Sequence, residues 1–147
     1  MSGSLTASST DQPERLALIV KSDAFEDILL ALSFAGIAAS ADMQVTMFFT
    51  NRAARRLKIG GFADVAQPTD EVSAAFILGA DTLGFHDLSA TLRDVKATGR
   101  VRIFLCSRGA RIWDIDADSL LPEVDSIMGT ATFLLEEARR AQTVLTI

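Results

Sequence analysis

Three short runs of this chain are apolar at almost every position rather than at every second one: Leu16 to Val20, Gln44 to Thr50 around Met47, Phe48 and Phe49, and Val101 to Cys106. A strand with one wet face alternates apolar and polar residues, whereas a strand covered on both faces does not. The stretches between the runs are long enough to hold helices. Strand, helix and strand in turn make an α/β protein with three layers, α/β/α, around a mainly parallel sheet joined by right-handed crossovers. Val124 to Met128 and Val144 to Ile147 bring the expected sheet to about five strands.

The connecting segments carry helix signals. Asp23 stands where a side chain caps the segment Ala24 to Ala41, with Glu26 placed to complete a capping box. Asn51 suits the N-cap of a short helix ending at Gly60 and Gly61. Residues 62–86 are the least legible: Glu71 to Leu78 reads as a helix capped by Asp70 or as a strand centred on Phe76, Ile77 and Leu78, and helix is preferred. Asp87 caps a clearer helix, with Leu88, Thr91, Leu92 and Val95 at helical spacing and Gly99 at its end. A helical turn near Ala110 to Trp113 follows the third strand, and Gly129 and Thr130 open a last helix, Ala131 to Ala141. With no repeat and no second core pattern, residues 16–147 are expected to form one domain behind a flexible tail, residues 1–15. A chain of 147 residues is long enough for a core without disulfide or metal staples.

Composition narrows the function. An apolar share of 49% leaves apolar surface to hide once the core is full, which points to a homo-oligomer. A net charge of −5 lacks the basic face that nucleic acid requires. One cysteine makes no internal disulfide, which suits a reducing cytoplasm and leaves the thiol free. The opening MSGSLTASSTDQPER has no secretory pattern, and the longest apolar stretch, Ile28 to Ala41, is too short for a bilayer, so a soluble cytoplasmic protein is expected. One histidine and one cysteine supply no metal cluster, and no cofactor is expected. Gly79 to Gly84 has phosphate-loop spacing, but Phe85 and His86 stand where Lys and Ser/Thr are needed. Ser22-Asp23-Ala24 is not a dinucleotide fingerprint, and no Gly-x-Ser-x-Gly elbow is present.

In a parallel sheet, ligands gather outside the carboxyl ends of the strands. The residues there are Ser22 and Asp23, Thr50 and Asn51, Cys106 and Ser107, and Gly129 and Thr130; helix capping alone also explains small polar residues at such positions. Cys106 is followed by Ser107, Arg108, Gly109, Ala110 and Arg111, so a helix N-terminus and two cations adjoin the sulfur. Amides and guanidinium groups favour thiolate, the reactive form, over thiol. The competing reading is a small buried hydrophobe. His86 beside Asp87 is an acid–base pair or the approach to a helix cap. Arg52, Arg55, Arg56 and Lys58 form either an anion-binding patch or a solvated helix face.

With Cys106 at a strand end and this order of elements, the chain resembles the DsrE/DsrF/TusD family of sulfur-relay proteins from about Leu16 to Ile147. The stretch LALIVKSDAFEDILLALSFAGIAASADMQVTMFFT is similar to the family's first strand, small-residue helix and second strand; VRIFLCS to the strand ending at its active cysteine; IMGTATFLLEEARRAQTVLTI to its closing strand, Gly-led helix and final strand. Asn51-Arg52 departs from the glycine-containing turn of many relatives. The resemblance implies a sulfur-transfer protein that carries sulfane sulfur as a persulfide on Cys106 and passes it to a partner such as a TusA-like carrier. It also implies assembly into homo-oligomers. The alternatives are a non-catalytic oligomeric module binding a small anion, and a one-cysteine peroxidase.

Overall fold

In the computed structural model, which describes residues 12–147, the three apolar runs form the centre of a five-stranded sheet. The strands are β1 (Arg15–Val20), β2 (Gln44–Phe49), β3 (Val101–Cys106), β4 (Ser126–Met128) and β5 (Thr143–Thr146). They lie in the order β4-β3-β2-β1-β5, every neighbouring pair parallel. The helices are α1 (Phe25–Ser40), α2 (Glu71–Thr82), α3 (Leu88–Ala97) and α4 (Ser107–Ile112), followed by a closing helical segment, residues 130–140.

Strand order dictates the layers. From β1 to β4 the chain steps across the sheet in one direction, so right-handed crossovers put the intervening helices on one face. From β4 it returns past the whole sheet to pair with β1, which puts the closing segment on the other face. Leu18, Val20, Met47, Phe49, Ile103 and Leu105 accordingly pack with Ile28, Leu32, Leu88 and Leu92 in the larger core. The intervening strand positions, Ala17, Phe48, Phe104 and Cys106, meet Phe133 and Ala138, with partly buried Ile19, Met128 and Ala141 around them, in a much smaller one. Cys106 therefore points to the thinly covered face.

The helix reading of residues 71–82 holds, with the Asp70 carboxylate accepting from the Ser73 N–H at 2.7 Å, and Asp87 caps α3 through the Ala90 N–H. Several local expectations do not. The N-cap of α1 is Ala24, not Asp23, and Glu26 completes no capping box there. Asp23 is drawn away by Arg55, whose Nε donates to it at 2.7 Å. Thr50, not Asn51, precedes the next turn, a 3-10 helix over Asn51–Leu57, because Asn51 sits in the left-handed region at φ 51°. That turn stops before Gly60 because Lys58 extends to bridge Leu120.

Helix α4 begins at Ser107, earlier than expected, and runs so close to the 3-10 turn that a Cβ on Gly109 would stand 2.7 Å from that of Ala54. The fourth strand is confined to Ser126–Met128. The last helix is not uniform: one α-turn (Thr130–Thr132), a π-turn (Phe133–Glu137) and a 3-10 turn (Ala138–Arg140) follow one another. Strand β1 takes in Arg15, the last residue of the expected tail, and residues 1–11 of that tail lie outside the described residues.

Candidate functional site

Cys106 ends β3 with backbone φ −57° and ψ 128°, leaving the strand and serving as N-cap of α4. Its side chain has no accessible surface and belongs to the small core with Phe48, Phe104 and Phe133. One side of it is polar. The sulfur lies 3.7 Å from the Thr130 hydroxyl, and Thr130 itself is exposed, so a single side chain separates Sγ from solvent there.

Burial pushes the Cys106 thiol up, yet the Thr50 hydroxyl, the Gly109 N–H, the Thr130 hydroxyl and the Arg108 N–H together hold it below its ordinary value. The donors come from the ends of β2, β3 and β4, which the parallel topology brings to one edge of the sheet. The guanidinium groups expected to stabilise the thiolate are not among the groups that do so; Arg108 acts through its backbone. The side chains of Arg108 and Arg111 instead line a shallow cleft of about 550 Å³ with Ser107 and Ile112, and neither forms an ion pair among the described residues.

The other residues singled out in the sequence divide into two groups. Thr50, Ser107, Gly129 and Thr130 surround Cys106 or its turn; a Cβ on Gly129 would touch Ser107 Oγ at 3.8 Å. Asn51 lends its carbonyl oxygen to the Trp113 indole N–H at 2.9 Å, fastening α4 to the turn after β2.

Ser22 and Asp23 belong to a different neighbourhood. The Ser22 hydroxyl accepts from the Ala24 N–H, and Asp23 pairs with Arg55 beside a second cleft of about 370 Å³. Arg56, only 3% exposed, donates to the carbonyl oxygens of Asp23 and Gly61 and to the Asp64 carboxylate. Two cations of the expected basic patch are thus engaged by carboxylates, and one of them, Arg56, is buried. His86 faces Asp81 at 3.6 Å, while Asp87 is occupied as a helix cap.

A trio not singled out in the sequence lies on the same sheet face as Cys106. The Arg102 guanidinium grips both oxygens of Glu137, and Thr46 Oγ1 donates to Glu137 Oε1 at 3.0 Å. Its signal was legible: Arg102 and Thr46 are polar residues within their strands, each flanked on both sides by apolar ones.

A family model described as the DsrE/DsrF-like family matches residues 14–147. No curated protein matches the chain. Among solved structures, the chain is similar to the protein of unknown function MTH1491 from Methanobacterium thermoautotrophicum, at 15% identity and a TM-score of 0.60, over 90% of this chain and 98% of that one. That likeness concerns the fold alone.

Proposed function

The chain belongs to the DsrE/DsrF-like family, and from that premise we propose that it carries sulfane sulfur as a persulfide on Cys106 and hands it to a partner protein. The observation that carries this reading is a buried sulfur at a strand end with the Thr130 hydroxyl 3.7 Å away, in surroundings that hold the thiol below its ordinary value although burial pushes it up. In the loading step the Cys106 thiolate attacks the outer sulfur of a persulfide or polysulfide donor. An Sγ–S bond forms, the donor's S–S bond breaks, and the donor leaves as thiolate. In the unloading step an acceptor thiolate attacks the outer sulfur and Cys106 leaves as thiolate. Neither step needs an external oxidant, reductant or second cysteine in this chain.

Three features support the reading further. The small core around Sγ keeps water and oxidants from the persulfide. The unpaired Arg108 and Arg111 beside the Cys106 turn form a cationic cleft suited to an anionic sulfur donor or to an acidic rim on a TusA-like acceptor. Exposed apolar residues on α2, with Val72 at 79%, suit a homo-oligomer, because a monomer leaves them in water.

The test is intact-protein mass spectrometry after incubation with polysulfide. The wild-type chain gains one sulfur atom that dithiothreitol removes, and Cys106→Ser gains none. A folded wild-type chain that gains no sulfur rules the reading out.

A further inference from the structure

The closing helical segment is the only described element packed on the face of the sheet that carries Cys106, and its apolar hold there is slight. Phe133 and Ala138 are buried, but Leu134 and Leu135 are each 58% exposed. Three side chains on one helical side of it reach down. Thr130 meets Cys106 Sγ, Phe133 stacks on Phe48 with centroids 4.3 Å apart, and Glu137 meets Arg102 and Thr46. The segment runs against β3: its first residue lies over Cys106 at the strand's carboxyl end, its last anchor over Arg102 at the other. Seven residues of helix span about 10 Å and four of strand about 13 Å. The two polar anchors are thus opposite ends of one lever of nearly matched length.

We propose that Glu137 is a positioning residue for Cys106: held by Arg102 and Thr46, it fixes the register of the closing segment so that Thr130 and Phe133 lie on the sulfur, and its release uncovers the thiol. The two-pronged charge-assisted contact is the strongest specific tie between this segment and the sheet. Glu137 is 12% exposed at its side chain and its partner Arg102 46%, so the latch is sheltered on the carboxylate side and open on the guanidinium side. A partner's carboxylate arriving at Arg102 competes for the same donors. As a step in sulfur transfer this role rests on the reading of Cys106 given above. As control of thiol exposure it is measured without a sulfur donor, so either can fail alone.

The experiment is alkylation of native Cys106 by iodoacetamide across a pH series in the full chain and in Glu137→Gln, Thr46→Val, Arg102→Ala and Arg102→Lys variants, with urea unfolding measured alongside. Glu137→Gln is expected to raise the rate about tenfold beyond any change in global unfolding, as local opening of a weakly packed element does. It also raises the thiol's titration midpoint, because the Thr130 hydroxyl leaves the sulfur. Thr46→Val, which removes one hydroxyl, moves both in the same direction by less, and Arg102→Lys restores part of the protection lost in Arg102→Ala. Rates in Glu137→Gln and Thr46→Val within about twofold of wild type, or increases no larger than the rise in global unfolding, overturn the proposal.

Discussion

The Phe133 ring lies parallel to that of Phe48, the planes 10° apart and the centroids 4.3 Å apart, and this stack is the apolar fastening of the closing segment to the sheet. Phe133 is 2% exposed, so its removal empties a site with few neighbours able to collapse into it. Phe133→Ala is expected to lower stability by about 3 kcal/mol, read from urea denaturation. A loss below about 1 kcal/mol would mean that the segment is held by other means.

The Cys106 thiol makes stability depend on pH in a defined direction. Its folded value is depressed, so between that value and the ordinary 9.0 the unfolded chain binds more protons than the folded one. Stability relative to Cys106→Ala should therefore rise as the pH is raised through this window and show no such gain below the folded value. Thr50→Val and Thr130→Val each remove a donor and should flatten the rise. A difference between wild type and Cys106→Ala that stays constant with pH would contradict the depressed thiol.

Gly109 provides a volume test of the turn after Cys106. A methyl group there would stand 2.7 Å from Ala54 Cβ, so α4 must shift, at a cost of about 1–3 kcal/mol for Gly109→Ala. Adding Ala54→Gly should recover part of the loss in thermal melting, because it removes the opposing methyl. No recovery would place the strain elsewhere.

Arg56 is a buried cation whose donors satisfy two backbone carbonyls and one carboxylate. Lysine cannot reproduce that fork, and Arg56→Lys should cost about 2–3 kcal/mol in chemical denaturation. The hydrogen bond from Arg56 also holds the Asp64 carboxyl below its usual 3.8. That contribution is complete above the usual value and lost as the pH falls through the folded one, so Asp64→Asn should weaken the acid sensitivity of the fold. An unchanged acid limb in Asp64→Asn would show that another carboxylate sets it.

The strands β1 and β3 were legible because a strand buried on both faces must be apolar throughout, and Asp70 and Asp87 because a carboxylate before a helical pattern has one local use. Asp23 and Asn51 misled for the converse reason: a residue suited to cap a helix is equally suited to an ion pair or a left-handed turn. Cys106 was found from its place at a strand end. The source of its activation was found only in part: the backbone amides after the cysteine were expected, but the guanidinium groups of Arg108 and Arg111 take no part, and the Thr50 and Thr130 hydroxyls reach it only through the fold.

By itself the sequence determined the α/β class, the parallel core strands and the cysteine worth inspecting, because each follows from periodicity or position along one segment. Tertiary structure alone decided which face of the sheet is thinly covered, which donors surround the sulfur, and that Glu137 answers Arg102 across the chain. The contacts of Thr130 with the sulfur and of Arg102 and Thr46 with Glu137 join residues 24 to 91 positions apart, and no local pattern encodes a partner at that separation.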